Sequence, residues 1–205
     1  MSQNNRVIRE IFNVISQVYD HPIPQKYLYD KVHQEILSEL KDQYPREVLD
    51  AGCGTGELLT KLAELWPGTD LIGLDFSASM LSIAENKDYG ECSSRFIETS
   101  VYDIPEEDET IDLITNSMSS HFYADLDSAL DEFYRILRPS GTLIMANITN
   151  GVLDMIPGPF KKGVRLPQQT YRSAENWEDH ITDAGFNILK AEDLIYPIKL
   201  FICQK

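Results

Sequence analysis

The sequence has few cysteines, no long apolar run and no apolar leader, and each shortage argues against a class of protein. Its three cysteines, Cys53, Cys92 and Cys203, are widely spaced and odd in number. This pattern favours reduced thiols in a cytoplasmic protein over a disulfide framework or a zinc site, so we expect no bound metal. No apolar run approaches the ~20 residues of a membrane-spanning helix, and the first residues lack the hydrophobic region of a signal peptide. We therefore expect no membrane partner.

Basic residues are also scarce. The chain carries 18 lysines and arginines against 33 acidic residues, which gives a formal net charge of −15. Such a surface repels phosphate backbones, so we expect no nucleic-acid partner. The length of 205 residues suits one domain with a sizeable core, which we predict to span residues 1–205. Both a monomer and a homodimer are compatible with this length.

Three glycines at alternating positions mark a sharp turn between a strand and a helix. The apolar run that ends at Leu49 gives way to helical spacing from Glu57, and Gly52, Gly54 and Gly56 lie between them. Glycine permits positive φ and lets a ligand approach the main chain closely. The N–H groups at the start of the helix then favour an anionic group. We predict a ligand-binding loop here.

Two acidic residues accompany this turn. Asp50 stands two residues before the first glycine, where a carboxylate can accept from a ligand's ammonium or hold the loop. Asp75 closes the next strand-like run, residues 71–74. An acidic residue at the end of the second strand of a nucleotide-binding sheet suits the hydroxyls of a ribose.

Strand and helix patterns alternate regularly from Arg46 onward, which predicts a mainly parallel sheet with helices on both faces. The predicted strands are 46–50, 70–74, 95–98, 111–116, 142–148, 186–194 and 197–203, and the predicted helices are 57–66, 77–86, 126–137 and 173–184. Two earlier amphipathic helices, 6–19 and 25–40, form a predicted N-terminal cap over residues 1–44. Residues 150–172 are rich in Gly and Pro without periodicity, so we predict an irregular lid there.

Three stretches together resemble class I S-adenosylmethionine-dependent methyltransferases. Residues 49–56 (Leu-Asp-Ala-Gly-Cys-Gly-Thr-Gly) resemble the first motif of that family, and residues 74–77 (Leu-Asp-Phe-Ser) resemble the second. The segment 130–141, with Glu132 and Arg135, is similar to the crossover before strand five. The resemblance covers roughly residues 45–205. It implies an α/β, Rossmann-like fold with a seven-stranded, mainly parallel sheet and an antiparallel last strand.

The resemblance also implies S-adenosyl-L-methionine as the cofactor and S-adenosyl-L-homocysteine as the product. Asp50 and the glycine loop would hold the methionine portion, Asp75 the ribose hydroxyls, and the end of strand four the sulfonium. Ser100 stands where the family usually has an acidic residue that contacts the adenine, with Asp103 as an alternative if the register shifts. The cofactor-binding residues implied in this way are Asp50, Ala51, Gly52, Cys53, Gly54, Asp75, Phe76, Met80, Ser100, Val101, Asn116 and Ser117.

Two residues are candidates for a catalytic role. His121 follows strand four, where it serves either as a general base or as a structural hydrogen-bond partner. Tyr19 belongs to a Tyr-Asp pair that lies over the cofactor in small-molecule members of the family, or it packs in the core. The other histidines, His21, His33 and His180, have no motif around them, and we expect surface or packing positions.

The acceptor is the least specified part of the prediction. The motifs and the single domain favour a small-molecule acceptor with an oxygen, nitrogen, sulfur or carbon nucleophile. Basic residues of the predicted lid suit an anionic acceptor if the lid covers the site; otherwise they lie on a solvated loop. These are Lys161, Lys162, Arg165 and Arg172. An RNA or protein methyltransferase and a non-catalytic cofactor-binding partner are the alternatives.

Overall fold

The computed structural model describes residues 24–149 and 172–205 of the chain. Its helices are α1 (Pro24–Leu40), α2 (Glu57–Leu65), α3 (Ala78–Ala84), α4 (Leu126–Ile136) and α5 (Ala174–Asp183). Its strands are β1 (Glu47–Ala51), β2 (Asp70–Asp75), β3 (Ser93–Glu98), β4 (Ile111–Ser117), β5 (Leu137–Ile148), β6 (Asn187–Ile195) and β7 (Ile198–Gln204). The predicted helix 6–19 lies outside the described residues.

The seven strands form one sheet in the order β3-β2-β1-β4-β5-β7-β6. The pairs among β1 to β5 are parallel, while β7 runs antiparallel to both β5 and β6. The predicted fold class, with its antiparallel last strand, is confirmed. The strand order reverses between β1 and β4, and ligands of open α/β sheets bind at such a reversal, outside the carboxyl ends of the strands.

Helices cover both faces of this sheet because the central strands are apolar on both sides. Leu49 and Ile72 belong to the core beneath α4 and α5, where Trp177 and Phe133 are also fully buried. Their sequence neighbours on the strands point the other way, into the core beneath α1, α2 and α3. That second core includes Val32, Ile36, Val48, Leu58, Leu62, Leu71 and Leu81. The predicted layering is confirmed.

Strand β5 departs from the prediction because it begins at Leu137, five residues before the predicted start at Thr142. Its register against β4 shifts after Leu137, which pairs with Ile111, before regular pairing resumes at Thr142. Ser140 adopts a φ of 67° in this irregular stretch. An apolar run interrupted by Arg-Pro-Ser-Gly predicts a helix end and a turn, whereas the chain enters the sheet at once and bulges.

Local signals place the shorter elements well. Ser77 caps α3 by accepting from the N–H of Met80, as predicted. Trp177 of α5 is fully buried against Phe201, with ring centroids 6.4 Å apart, so it packs in the core.

Across 24–149 and 172–205, every helix is too short or too polar to cross a bilayer.

Candidate active site

A pocket lies at the reversal point of the sheet. It is bounded by the loop after β1, the first turn of α2, one face of α1 and the end of β4 at Ser117. Asp50, Gly52, Cys53 and Gly54 line it from the β1 side. Five of the predicted cofactor residues therefore meet in one cavity at the edge of the sheet where a nucleotide-like ligand is expected.

The three glycines of the loop differ in the space that surrounds them. A Cβ on Gly52 would lie 2.4 Å from the Oγ of Ser119, and one on Gly56 would lie 2.5 Å from the hydroxyl of Tyr89. At Gly54, which has a φ of 54°, a Cβ would meet no atom within 4 Å. Gly52 and Gly56 thus permit close packing, while Gly54 alone presents open backbone to the pocket.

Asp75 holds the glycine loop from the end of β2. Its Oδ2 accepts from the N–H of Gly54 at 3.0 Å, and its Oδ1 accepts from the N–H of Ser77 at 2.9 Å. Burial raises the pKa of Asp75, and hydrogen bonds from the backbone of Ser77, Gly54 and Phe76 oppose that rise. The carboxylate therefore couples the two motifs.

Asp50 is a buried carboxyl group in the wall of the pocket. Its Oδ1 accepts from the hydroxyl of Thr115, its cross-strand partner on β4, at 2.8 Å. Burial raises its pKa to about 7, against a lowering by the Thr115 hydrogen bond, and the negative charge of Asp75 adds to the rise. The positive charge of a ligand ammonium beside this carboxyl would stabilise its charged form.

Asn116 joins the ends of β1 and β4. Its Nδ2 lies 2.7 Å from the carbonyl oxygen of Ala51, 2.7 Å from the Oγ of Ser119 and 2.8 Å from the hydroxyl of Tyr123. Ser119 also donates to the Ala51 carbonyl, at 3.0 Å. This cluster fixes the loop after β4 against the glycine loop, directly beside Gly52.

Four buried polar atoms at the ends of β4 and β5 have no hydrogen-bond partner in the described part of the chain: Asn116 Oδ1, Ser117 Oγ, His121 Nδ1 and Asn147 Nδ2. The Oδ1 of Asn147 is taken by the hydroxyl of Ser120 at 2.6 Å. Burial lowers the pKa of His121 to about 4, partly offset by a hydrogen bond with Asn147, so its imidazole is neutral at neutral pH. Unsatisfied buried groups are costly and call for an explanation such as a ligand.

The predicted adenine side lies beyond this pocket, after β2 and β3. Met80 and Val101 are buried in the core, while Phe76 and Ser100 are partly exposed. The Oγ of Ser100 accepts from the N–H of Tyr102 at 3.3 Å, which gives this serine a local turn-forming role. None of the four residues lines the pocket around Asp50.

The crossover motif holds the loop after β3 in place. Glu132 accepts from the N–H of Ile104 at 2.9 Å, and Arg135 donates to the carbonyl oxygen of Ile104 at 2.9 Å. Arg135 also binds the carbonyl of Glu106 and the carboxylate of Asp108, each at 2.8 Å. These two side chains of α4 therefore position the loop after β3, which carries the predicted cofactor residues Ser100 and Val101.

Residues 49–145 match the family model described as a methyltransferase domain. The match begins at the end of β1 and ends in β5, so it covers the glycine loop, Asp75 and the end of β4, but neither α1 nor Asn147. The predicted resemblance to the class I S-adenosylmethionine-dependent methyltransferases is confirmed. Enzymes of this family take their methyl group from S-adenosylmethionine, which agrees with the predicted cofactor.

Two curated methyltransferases show the degree of similarity. The demethylmenaquinone methyltransferase of Thermus thermophilus is 35% identical over 119 residues, which are 58% of this chain and 51% of that protein. The malonyl-[acyl-carrier protein] O-methyltransferase of Yersinia pestis is 31% identical over 145 residues, which are 67% of this chain and 52% of that protein. The chain thus spans about half the length of these relatives.

The fold is shared with solved methyltransferase structures. One from Aquifex aeolicus, described as SAM-dependent, superposes with a TM-score of 0.76 at 18% identity and covers 94% of this chain and 97% of its own. At that identity the superposition concerns the fold alone.

The residues of this methyltransferase domain fit the family's cofactor. The loop offers open backbone at Gly54, the wall offers a buried carboxyl at Asp50, and Ser117 has a hydroxyl without a partner among the described residues. Such a set suits a ligand with an ammonium and several hydroxyl groups. Tyr19 and residues 150–171 of the predicted lid lie outside the described residues.

Three pocket residues from α1 have no counterpart in the sequence prediction: Tyr29, Asp30 and His33. His33 was expected at the surface or in packing; it is buried, with 5% of its surface exposed, and it also lines the pocket. A usable signal existed, since it neighbours the buried positions Val32 and Ile36. His180 instead pairs with Asp127 and is partly exposed, as expected.

Proposed function

We propose that the protein transfers the methyl group of S-adenosyl-L-methionine to a small-molecule acceptor. The observation that carries the proposal is the pocket at the reversal point of the sheet, where Gly54 presents open backbone beside Asp50 and Ser117. The curated relatives are named for demethylmenaquinone and for malonyl-[acyl-carrier protein]. Their names support a substrate other than nucleic acid, as does the charge of −15.

We assign the cofactor contacts as the sequence predicts them. Asp50 and the loop from Ala51 to Gly54 would hold the methionine portion, and Asp75 would accept from the ribose hydroxyls. The remaining predicted contacts form the adenine and sulfonium sides of the same site: Phe76, Met80, Ser100, Val101, Asn116 and Ser117. The position of Asp75 supports this role, because its carboxylate lies at the end of β2 and accepts from the N–H of Gly54 in the loop.

The protein's own contribution is chiefly alignment. The bound cofactor supplies an already activated methyl group on a sulfonium. The hydrogen-bond cluster of Asn116 fixes the ends of β1 and β4 against each other, so the groups around the pocket hold one geometry. Holding two reactants in line lowers the barrier without covalent help. A buried site also excludes water from the reacting atoms.

His121 is the proposed proton acceptor for an acceptor that must lose a proton. Its Nδ1 has no partner among the described residues, and its lowered pKa of about 4 leaves it neutral at neutral pH. The alternative is a structural contact with Asn147. Replacing His121 with Ala separates the two roles: near-normal turnover in a folded variant would rule out the proton-acceptor role.

Three further features stay predictions. The acceptor is expected to be anionic if the basic residues of segment 150–172 cover the site. Arg172, the first described residue after 171, stacks over the ring of Trp177 with 5.4 Å to the centroid. A cytoplasmic location, and a monomeric or homodimeric state, rest on the sequence alone.

Incubation with methyl-labelled S-adenosylmethionine and a panel of small molecules, anionic ones first, tests the proposal. We expect label in one class of small molecule together with S-adenosylhomocysteine release, and loss of both in a Gly54→Ala variant. Transfer to RNA or protein alone would contradict the proposed acceptor class. Cofactor binding with no transfer to any acceptor would favour a non-catalytic binding partner.

A further inference from the structure

Helix α1 contributes an unforeseen wall to the pocket. Tyr29 and His33 are four residues apart and therefore lie on the same face of the helix. Their rings are in contact, with centroids 6.3 Å apart, and both line the pocket with Asp30. Asp50 and the glycine loop line the same pocket.

Lys61 of α2 stands behind this wall. Its Nζ lies 2.7 Å from the Oδ1 of Asp30 and 3.3 Å from the Nδ1 of His33. An ammonium group can only donate hydrogen bonds, so Nδ1 must accept and the ring proton of the neutral imidazole must reside on Nε2. Burial, followed by the positive charge of Lys61, lowers the pKa of His33 to about 4, which keeps the ring neutral at neutral pH.

The Nε2–H of His33 is therefore a donor with a defined direction. Within 24–149 and 172–205, this ring makes one hydrogen bond, between Nδ1 and Lys61. Nε2 is not one of the side-chain atoms that are both inaccessible to solvent and without a partner. His33 lines the pocket and is only 5% exposed, so the accessible surface of Nε2 faces the pocket. A neutral donor backed by an ammonium suits an anionic oxygen.

One chemical group suits both of these side chains. Asp50 offers a carboxyl acceptor and His33 offers an N–H donor, and both line the pocket. An α-amino acid group carries an ammonium and a carboxylate within a few atoms of each other, so it can bind both residues at once. The methionine end of S-adenosylmethionine is such a group.

We propose that His33, held in its Nε2–H form by Lys61, binds the carboxylate of the cofactor's methionine portion while Asp50 accepts from its ammonium. The inference rests on the proposed function, since it assigns a residue to the cofactor site. His33 is the binding residue, and Lys61 is a positioning residue that acts through it. An acceptor carboxylate would share the same chemistry, so the experiment must distinguish the two sources.

Calorimetric titration with two ligands isolates the carboxylate. S-adenosylhomocysteine carries the amino acid group, while 5′-methylthioadenosine lacks it. Loss of a hydrogen bond to a charged group costs about 1.5–3 kcal/mol, or roughly 10- to 100-fold in affinity. We expect His33→Leu to lose that much for S-adenosylhomocysteine and nothing for methylthioadenosine.

Two variants serve as controls. His33→Gln retains an N–H donor near the position of Nε2 and should keep S-adenosylhomocysteine affinity within about threefold, a difference below 1 kcal/mol. His180→Leu removes a histidine from the far helix α5, where it pairs with Asp127, and should change neither affinity. Circular dichroism and thermal unfolding verify that each variant is folded.

The role of Lys61 has a readout that simple packing would not move. Long-range nitrogen–proton NMR correlations on histidine-labelled protein report which ring nitrogen carries the proton. We expect the Nε2–H form of His33 in the wild type and a mixture of tautomers in Lys61→Met, because the donor to Nδ1 is gone. A wild-type Nδ1–H tautomer would overturn the assignment directly.

The binding outcomes separate this inference from the proposed function. Failure of the folded wild type to bind S-adenosylhomocysteine and methylthioadenosine would contradict the proposed function, and this inference with it. Wild-type binding combined with unchanged S-adenosylhomocysteine affinity in His33→Leu would contradict this inference alone. An effect of His33→Leu on the acceptor's KM alone would likewise overturn the cofactor assignment, because the carboxylate would then belong to the acceptor.

Discussion

The two sides of the pocket differ in how well their polar groups are satisfied before any ligand binds. At the ends of β1 and β2, Asp50 accepts from Thr115, and Asp75 accepts from two backbone N–H groups. At the ends of β4 and β5, buried atoms of Ser117, His121 and their neighbours have no partner among the described residues.

The two sides should therefore respond differently to substitution. The carboxyl groups of Asp50 and Asp75 are already hydrogen-bonded, to Thr115 of β4 and to backbone N–H groups, so their substitution should affect the fold as well as binding. Ser117 lines the pocket with a buried hydroxyl that has no partner in the described chain, so its substitution should damage binding or turnover more than the fold.

Gly52→Ala should have the largest effect on stability. The new Cβ would meet Ser119 at 2.4 Å, at a φ of 78°, and overpacking plus strain should cost about 2–5 kcal/mol in the free energy of unfolding. The matched control, Gly54→Ala, meets no atom within 4 Å and should cost only about 1 kcal/mol from strain. Urea unfolding compares the two, and equal losses would refute the distinction between packing glycine and open glycine.

Asp75→Ala should cost about 2–4 kcal/mol, because the buried N–H of Ser77 and the part-buried N–H of Gly54 lose their acceptor. Cofactor affinity should also fall by tenfold or more, since a charge-assisted contact to the ribose is removed. Unfolding and calorimetry measure the two effects separately. Unchanged affinity in the folded variant would refute the ribose assignment.

Asp50→Asn should stabilise the protein, and the gain should depend on pH. The folded-state pKa of about 7 lies above the unfolded value of 3.8, so wild-type stability is lost as pH rises from about 4 to 7. Asn keeps the acceptor for Thr115 and has no charge to bury, so at pH 8 the variant should gain on the order of 2–4 kcal/mol. Thermal unfolding at pH 4 and pH 8 tests this, and an equal gain at both values would contradict the burial argument.

Ser117→Ala should have the smallest effect on the fold. Its buried Oγ has no partner in the described chain, so its removal should change the free energy of unfolding by less than about 0.5 kcal/mol, or raise it. Affinity for S-adenosylhomocysteine or for the acceptor should nevertheless fall. A large loss of stability would mean that the Ser117 hydroxyl is hydrogen-bonded within the folded protein, like the carboxyl groups of Asp50 and Asp75.

Much of the fold was predictable because its signals are local. The apolar run before Asp50, the glycine turn and the Ser77 cap each occupy a few consecutive residues, and all lie where expected. The start of β5 was not predictable, because Arg-Pro-Ser-Gly is a turn pattern. In the structure these residues belong to β5, and its register against β4 shifts there.

The candidate site was predictable only where a motif marks it. His33 was missed because its meaning depends on Lys61, 28 residues away on another helix. The packing role of Gly52 was missed for the same reason, since Ser119 and Tyr123 approach it from the loop after β4. Contacts between segments that are distant in sequence decide which of the three glycines is open to a ligand. The hydrophobic periodicity of the sequence contains no information about those contacts.

Calorimetric titration of the wild type and of Gly54→Ala with S-adenosylhomocysteine is the decisive test of the cofactor site. We expect one micromolar site per chain in the wild type and at least tenfold weaker binding in the folded Gly54→Ala variant, since a Cβ would occupy the open backbone position of the loop. Equal affinity in both would show that the ligand does not approach Gly54. Absence of binding to a folded wild-type sample would contradict the cofactor site altogether.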